Sequence, residues 1–423
     1  MKIGWYSPLD PAASEIARYS EQLLPYLRQF AEVLAEVLAV ENGAEGTAPV
    51  MQMAAPGVAA LPVYHIGNNP LHLPIYQRSL QEPGLVVLHD LSLVDLARHL
   101  SHQLERPDLW KDMMCRQYGD EVRALVNRSE KSLADYNEMV ANYPLFQPFV
   151  AGALGVLVHS RYALDALQRQ LAPGTPLLRL NLPAPPPGEG PAPVAVSDPL
   201  RFVFCGHVGP NRRLVEFLQA WGSLPSPQRI TLDLYGNISS SRQLLQHAGQ
   251  FGVQQYIRIN GYVSDAELER ALQSADFAIN LRWPTMGEAS ASQLRYWTAA
   301  LPTLVSDVGW YAELPADSVC RISVGNEAGD LRALLEDALA SRDKYRQVGL
   351  QGQARLREAH NPEYYARELL AFAARLSDGR LAYRTLEREL VPMVASMCEK
   401  ETDTCLFRDA LETAVATFLP ERA

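Results

Sequence analysis

Short apolar segments alternate with segments of helical length along most of the chain, and this alternation restricts the fold more than any other feature. An amphipathic stretch from Ala13 to Phe30 follows the first apolar run, with apolar residues at helical spacing. Parallel strands need a crossover between them, so the pattern predicts a parallel sheet covered by helices on both faces. The strand-like runs of the first half are 2–7, 33–40, 63–66, 85–88 and 155–159.

A proline-rich segment divides the chain. From Asn181 to Pro199 the prolines remove amide donors, so neither a helix nor a central strand can form there. The strand and helix alternation then starts again at Leu200, and 423 residues exceed the ~250–300 at which a single core stops growing. We therefore predict an α/β chain with two Rossmann-like, doubly wound parallel-sheet domains facing across a cleft. The predicted parts are an N-terminal domain at 1–182, a linker at 183–199, a C-terminal domain at 200–380 and a helical tail at 381–423.

Composition narrows the class of function. The net charge of -10 and the pI near 5.5 argue against a nucleic-acid partner, because binding the phosphate backbone needs a basic face. The five cysteines are scattered and odd in number, which is typical of reduced thiols in the cytoplasm. No apolar run approaches the ~20 residues of a membrane span, and no secretory signal precedes the first strand. We expect a cytoplasmic protein with at most peripheral contact at the inner face of the membrane.

A glycine-containing loop joins a strand to a helix at residues 205–213. Gly206 and Gly209 allow close approach of the backbone to a ligand, and the following helix offers unpaired amides. Arg212 and Arg213 add guanidinium groups suited to phosphate oxygens, so the loop fits a diphosphate. The spacing is not that of a P-loop. A plain turn with arginines facing solvent remains the alternative.

A second polar loop lies at residues 280–292, between an apolar strand and a helix. Glu288, Ser290 and Ser292 are thereby placed at the C-terminal edge of a parallel sheet, where ligands of open α/β folds bind. A carboxylate among small polar residues can hold sugar hydroxyls. The alternative is an acidic residue that caps the helix N-terminus.

Three histidines follow three strands of the first half. His65, His89 and His159 would lie at the rim of one sheet, although each alone is more often a buried structural histidine. None of them has a metal-ligand spacing, and the chain lacks an Asp-x-Asp pair. We expect no metal and no other cofactor.

Six segments in order resemble the retaining glycosyltransferases of two-Rossmann GT-B architecture (glycosyltransferase family 4-like, group 1). The likeness is greatest to bacterial members that assemble surface polysaccharides or modify surface proteins, and it extends to about Arg375. The matching segments are Ser7-Pro8-Leu9, Gly67-Asn68-Asn69, Val87-Leu88-His89-Asp90, His159-Ser160-Arg161-Tyr162, 281–290 and 305–310.

The resemblance implies transfer of a sugar from a nucleotide-sugar to a glycan, lipid-linked glycan or protein acceptor, with retention of configuration and without metal. It gives catalytic positions to Glu288, His89 and Arg212, with the donor in the C-terminal domain and the acceptor on the N-terminal one. The implied donor-binding residues are Gly206, His207, Gly209, Asn211, Arg213, Gly236, Tyr262, Val263, Arg282, Thr285, Ala289, Ser290, Ser292 and Arg295. The implied acceptor-side residues are Ser14, Glu15, Asn68 and His159.

The chain departs from the family pattern at the nucleotide end of the site. The second glutamate of the family's Glu-x7-Glu motif falls on Tyr296 counted forward from Glu288, or on Arg295 counted back from Ala300-Leu301-Pro302. Glu15 stands where close relatives carry glycine. These changes suggest one alternative, a catalytically weak or inactive binding subunit. A nucleotide-sugar epimerase of the same architecture is a second alternative. The tail at 381–423 is expected either to pack on the N-terminal domain or to mediate oligomerisation.

Overall fold

A computed structural model describes residues 1–9, 14–34, 60–187, 198–237 and 241–377. Two parallel sheets of six strands each form its framework, so the predicted fold class is confirmed. The predicted tail at 381–423 lies outside the described residues, as do most of the linker and residues 35–40 of the second predicted strand. Within the described ranges, no helix has the length and apolar character needed to cross a membrane.

The N-terminal sheet has the strand order β2-β1-β3-β4-β5-β6. Its central strands β3, β4 and β5 are buried at every residue, which explains their nearly continuous apolar sequences. The strands are β1 (Lys2–Tyr6), β2 (Glu32–Leu34), β3 (Leu61–Ile66), β4 (Leu85–Leu88), β5 (Gly155–Val158) and β6 (Leu177–Arg179). The helices are α1 (Glu15–Leu27), α2 (Leu73–Gln81), α3 (Val94–Gln103), α4 (Leu109–Tyr118), α5 (Arg123–Ser129), α6 (Leu133–Asn142), α7 (Gln147–Val150) and α8 (Arg161–Gln170).

The C-terminal sheet has the strand order β12-β11-β10-β7-β8-β9. The chain runs outward from β7 in one direction and from β10 in the other, so the order reverses between these two strands and leaves a crevice at their carboxyl ends. The strands are β7 (Leu200–Cys205), β8 (Ile230–Tyr235), β9 (Ile257–Gly261), β10 (Phe277–Asn280), β11 (Thr303–Ser306) and β12 (Cys320–Ile322). The helices are α9 (Leu214–Gly222), α10 (Ser241–Gln250), α11 (Asp265–Gln273), α12 (Ala291–Thr298), α13 (Glu327–Ala340) and α14 (Arg342–Ala359).

The last described helix, at residues 362–377, returns to the N-terminal sheet. Tyr365, Leu369 and Phe372 are buried in the same apolar cluster as Trp5 of β1. The contact is close, because a Cβ atom added to Gly155 would lie 2.9 Å from Leu376 Cδ1. This helix lies within the predicted C-terminal domain at 200–380, yet it packs on the N-terminal sheet.

The carboxyl ends of the two sheets also meet directly. The amides of Leu91 and Ser92, after β4, donate to the carbonyl of Met286 at 2.7 and 2.9 Å. The amides of Arg161 and Tyr162, at the start of α8, donate to the Glu313 carboxylate at 2.9 and 2.5 Å. These bonds hold the loops that end the strands on opposite sides of one cleft.

Candidate functional site

A cleft of about 980 Å³ lies between the two sheets. The N-terminal side contributes α1 and the residues that follow β4, and the C-terminal side contributes the loops after β7 and β10 together with α11 and α12. Ligands of doubly wound folds bind at this carboxyl edge of the strands. The cleft is therefore the candidate active site.

The loop after β7 places one arginine in the cleft and directs the next one away from it. Arg213 takes a left-handed conformation with φ of 54° and pairs with Glu216 and Glu327 at 2.7 and 2.9 Å. Arg212 lines the cleft, and within the described residues it makes no ion pair. The loop therefore presents one guanidinium whose donors remain open to a ligand.

The surroundings of Arg212 favour an anionic ligand. Burial, with the positive charge of Arg282 as the next cause, lowers the pKa of Arg212 to about 10, so the group stays charged at neutral pH. A Cβ atom added to Gly206 would lie 3.9 Å from Arg212 Nη2 and 4.0 Å from Ser292 Oγ. The glycine backbone, the guanidinium and a serine near the N-terminus of α12 thus face one small space. These are the donors that bind a diphosphate.

Glu288 is held rigidly on the same side of the cleft as Arg212, in the loop after β10. Its Oε1 lies 2.9 Å from Arg282 Nε, and the side chains of this ion pair are 10% and 13% exposed. Its Oε2 accepts from the Thr285 hydroxyl at 3.0 Å and from the Met286 amide at 2.8 Å. Oε2 is therefore hydrogen-bonded, whereas Oε1 is paired by charge only and has no hydrogen-bond partner within the described part of the chain. The side chain is oriented before any ligand binds.

Helix α12 carries two side chains with structural contacts. The Ser290 hydroxyl accepts from the Gln293 amide at 3.2 Å and caps the helix. Tyr296 is fully buried, and its hydroxyl accepts from the Cys205 amide at 2.8 Å. Tyr296 therefore fastens α12 to β7 and does not face the cleft.

Arg295 belongs to an ion cluster across the cleft. Its Nη1 lies 3.1 Å from Asp265 Oδ1, and Arg18 Nη1 of α1 lies 2.5 Å from the same oxygen. Arg295 and Arg18 line the cleft from the two domains. Asp265 thereby links the domains at the end of the cleft beyond Ser292.

Glu15 adds a negative charge on the N-terminal wall. Glu15, Arg18, Tyr19 and Gln22 form the stripe of α1 that lines the cleft. The pKa of Glu15 is raised, first by burial, while the nearby Arg18 and Arg212 act in the opposite direction. A carboxylate thus stands within electrostatic reach of the candidate phosphate site.

The three histidines at the strand ends do meet. His65 Nδ1 lies 3.0 Å from His89 Nε2, and the rings of His89 and His159 stack with centroids 5.2 Å apart. His159 Nε2 in turn lies 3.0 Å from the Tyr365 hydroxyl. Burial holds the pKa of His65 and of His89 well below the usual range and lowers that of His159 to about 3. His89 lines the cleft, whereas His65 and His159 are buried behind it.

Asp90 follows His89 and also lines the cleft. Burial, followed by the charge of Glu288, raises the pKa of Asp90 to about 7. Its Oδ2 accepts from the Asn68 amide at 2.8 Å. The Asn68 side chain itself is bound to Asp95, through a 3.0 Å hydrogen bond from Nδ2 to Asp95 Oδ2.

Nine of the predicted site residues line the cleft together, and the others lie around it. The nine are Glu15, His89, Arg212, Arg282, Glu288, Ala289, Ser290, Ser292 and Arg295. The predicted residues outside its lining are Ser14, Asn68, His159, Gly206, His207, Gly209, Asn211, Arg213, Gly236, Tyr262, Val263 and Thr285.

Sequence reasoning missed the lining residues Arg18, Tyr19 and Asp90, together with Asp265 just beyond them. The sequence did contain two signals for them, namely the helical spacing of Arg18 and Tyr19 on α1 and the polar residue Asp90 after β4. Among the described residues, no group of three or more His, Cys, Asp or Glu side chains could hold a metal ion.

Comparison with known proteins adds a family and a fold. Residues 191–355 match the family described as Glycosyl transferases group 1. Sucrose-phosphate synthase from Thermosynechococcus elongatus is similar over 90% of this chain and 100% of its own, at 14% identity and a TM-score of 0.57. Anabaena HepE in complex with UDP-glucose is similar over 88% of this chain and 99% of its own, at 12% identity and a TM-score of 0.52. WaaG, a glycosyltransferase involved in lipopolysaccharide biosynthesis, is similar over 86% and 98%, at 15% identity and a TM-score of 0.50. No curated protein matches the sequence.

Proposed function

We propose that this chain transfers a sugar with retention of configuration and without a metal ion. Residues 191–355 are a group 1 glycosyl transferase domain, and the chain is a glycosyltransferase of GT-B fold that uses a nucleotide-sugar. One observation carries the proposal. Arg212 faces the cleft without an ion-pair partner among the described residues, beside the glycine turn after β7 and on the same side as the fixed carboxylate of Glu288. A cation and a hydrogen-bond acceptor in one cleft suit the two ends of a sugar diphosphate.

Arg212 stabilises the leaving group in this mechanism. As the bond between the anomeric carbon and the diphosphate oxygen breaks, the electron pair stays on the phosphate and its negative charge grows. A guanidinium that is held in place and partly removed from water stabilises that charge without reorganisation. The N-terminus of α12, beside Ser292, adds oriented amides. The protein thereby supplies the cationic charge that the leaving diphosphate needs.

The engagement of Glu288 supports attack on the same face of the sugar. Glu288 Oε2 accepts from Thr285 and the Met286 amide, whereas Oε1 is paired with Arg282 by charge only and has no hydrogen-bond partner among the described residues. Glu288 is therefore placed to accept from a sugar hydroxyl through Oε1 and not to attack the anomeric carbon. The acceptor hydroxyl then forms the new bond on the face from which the phosphate leaves. Its proton passes to the departing phosphate oxygen. Configuration is retained, and no separate general base is required.

The acceptor is proposed to approach from the N-terminal wall, where Glu15 and Asp90 line the cleft. Carboxyl groups on that wall suit a hydroxyl donor, which favours a glycan, a lipid-linked glycan or a protein side chain. We place the reaction in the cytoplasm and in surface-glycan assembly, by analogy with WaaG and its involvement in lipopolysaccharide biosynthesis.

A second candidate function rests on Glu15. A carboxylate within reach of Arg212 competes with the diphosphate for positive charge, which favours a binding subunit that turns over slowly or not at all. Such a protein would bind a nucleotide-sugar and release no sugar.

The test is calorimetric titration with UDP, GDP, dTDP and CMP in the presence of a chelator, followed by NMR of the anomeric proton during turnover of the selected nucleotide-sugar. We expect one nucleotide to bind and the first product to have the donor's anomeric configuration. Arg212→Gln should weaken binding by about 10- to 100-fold, since hydrogen bonds to charged groups contribute ~1.5–3 kcal/mol.

Arg201→Gln is the matched control, because Arg201 lies on β7, the strand before the Arg212 loop, and has an exposed side chain. An equal loss of nucleotide affinity in the two variants would contradict the role of Arg212. Binding that requires a divalent cation would contradict metal independence, and binding without turnover would favour the second candidate.

A further inference from the structure

His65 and His89 meet in a fixed geometry behind the cleft. Their Nδ1 and Nε2 atoms are 3.0 Å apart. His65 is fully buried on β3, with its ring centroid 4.2 Å from that of Trp5 and 5.5 Å from that of Tyr19. His89 completes the contact from the end of β4 and lines the cleft. The pair therefore connects a buried imidazole to a ligand-facing one.

The number of protons in this pair is limited. Burial and the neighbouring imidazoles hold the pKa of both rings low and keep them neutral at physiological pH, so each ring carries one N–H. Either His65 donates from Nδ1 to His89, or His89 donates from Nε2 to His65. In the first arrangement His65 Nε2 has a lone pair and His89 Nδ1 carries a proton. In the second arrangement His65 Nε2 carries a proton and His89 Nδ1 has a lone pair.

The far nitrogen of His65 decides between the two arrangements. His65 Nε2 is buried, and it has no hydrogen-bond partner in the part of the chain that the structure describes. If His89 were the donor, His65 would carry its proton on Nε2 and bury an unpaired N–H. If His65 is the donor, only a lone pair is unpaired. Buried N–H groups without partners are the rarer and costlier case.

We propose that His65 is a positioning residue that donates from Nδ1 to His89 Nε2, and so fixes His89 as the tautomer that presents Nδ1–H to the sugar in the cleft. The proposal rests on the proposed function, because it takes the sugar as the ligand beside His89. His65 touches no substrate and acts only through His89.

A neutral donor suits the chemistry at this position. The transferred sugar acquires positive charge at the anomeric carbon as the diphosphate leaves, as in other oxocarbenium-like transition states. An imidazolium beside it would oppose that charge, whereas a neutral N–H orients a sugar hydroxyl without repulsion. The cationic charge is thereby confined to the phosphate end of the cleft, where Arg212 lies.

The direct test is the two-bond ¹⁵N–¹H NMR correlation of the histidine rings in the full chain, which distinguishes the two tautomers without requiring turnover. We expect Nδ1–H for His89 in the wild type. His65→Phe should give a mixture of tautomers, and His65→Asn, which keeps an amide N–H close to the Nδ1 position, should restore the Nδ1–H form. His159→Phe is the matched control, because His159 stacks on His89 without a hydrogen bond to it.

Kinetics supply a second readout. His65→Phe should lower kcat about 10-fold with little change in donor KM, since one oriented hydrogen bond contributes ~1 kcal/mol or more. The groups that face His89 are Tyr19, His65, His159 and His72, and His65 lowers the pKa of His89. Its removal should therefore move the acid limb of the pH profile to higher pH.

An Nε2–H tautomer of His89 in the wild type would overturn the inference, and this result needs no variant to fold. An unchanged tautomer in a folded His65→Phe protein would do the same. Failure of the proposed function has a different signature, namely no binding of any nucleotide while the histidine spectrum is as expected.

Discussion

Replacing Glu15 with glutamine is expected to strengthen nucleotide binding. Glu15 lines the cleft on the face of α1 that also carries Arg18, and its carboxyl group interacts with Arg212. Glutamine preserves the size of the side chain and removes its charge. The diphosphate of a bound donor would then no longer share the phosphate site with a fixed anion.

The size of the gain follows from charge and distance. For an assumed separation of about 8 Å between the carboxylate and a phosphate, two unit charges interact by about 2 kcal/mol at an effective dielectric constant of ~20. At physiological salt the Debye length is about 8 Å, which lowers the effect to under about 1 kcal/mol for each negative charge on the ligand. A nucleoside diphosphate with two such charges should therefore gain about 1–2 kcal/mol, or about 5- to 30-fold in Kd.

Calorimetric titration of the wild type and Glu15→Gln with the nucleotide that binds best measures this gain. Glu21→Gln is the matched control, because Glu21 lies on the same helix with an exposed side chain outside the cleft lining. The ratio of the two Kd values should shrink as salt rises. It should also shrink as the pH falls through the raised pKa of Glu15, because protonation neutralises the wild-type side chain.

Unchanged or weaker binding in Glu15→Gln would refute this reasoning. Glu15 would then contribute a contact to the ligand or lie too far from the phosphates to matter. A gain of the same size in Glu21→Gln would show a general effect of net charge and no shared site.

Three further predictions concern stability, each measured by chemical denaturation. Tyr365→Phe should lower the free energy of unfolding by about 1–3 kcal/mol, because it leaves buried hydrogen-bonding groups unpaired at both of its hydroxyl contacts. Gly349→Ala should destabilise by about 1–3 kcal/mol, since its Cβ would lie 1.9 Å from the Ala300 carbonyl oxygen, while Gly152→Ala, with nothing within 4 Å, should change stability little. Asp90 binds protons more tightly in the folded state, with a pKa of about 7, so wild-type stability should fall as the pH rises from about 4 to 7, and Asp90→Asn should remove that fall.

The sequence predicts local features of the fold accurately. The predicted run at 85–88 is the observed strand β4, because a strand buried on both faces needs consecutive apolar residues. The short, partly exposed β6 was not predicted, since its three residues lack such a run. The two polar loops were found because the C-terminal edge of a parallel sheet follows directly from strand direction.

The pairing of residues distant in the chain is what the sequence does not disclose. Arg18 and Asp265 are 247 residues apart, and Tyr19 and Tyr365 are 346 residues apart. Each pair forms only where one domain packs against the other. The sequence likewise presents Arg212 and Arg213 as equals, and only the left-handed backbone at Arg213 shows why one faces the cleft while the other binds Glu216.

The distribution of charge in the cleft explains why Arg212 matters more than the other arginines of its walls. Arg282 is paired with Glu288, and Arg295 and Arg18 share Asp265. Arg270 also lines the cleft, but it is exposed to water and donates from Nε to the Ala266 carbonyl. A paired guanidinium has already exchanged water for a carboxylate, so binding a phosphate would require that pair to break. Arg212 has no such contact to break within the described chain, and its partial burial makes its remaining interactions stronger than they would be in water. A diphosphate is therefore expected to bind at Arg212, and the paired arginines fix the walls around it.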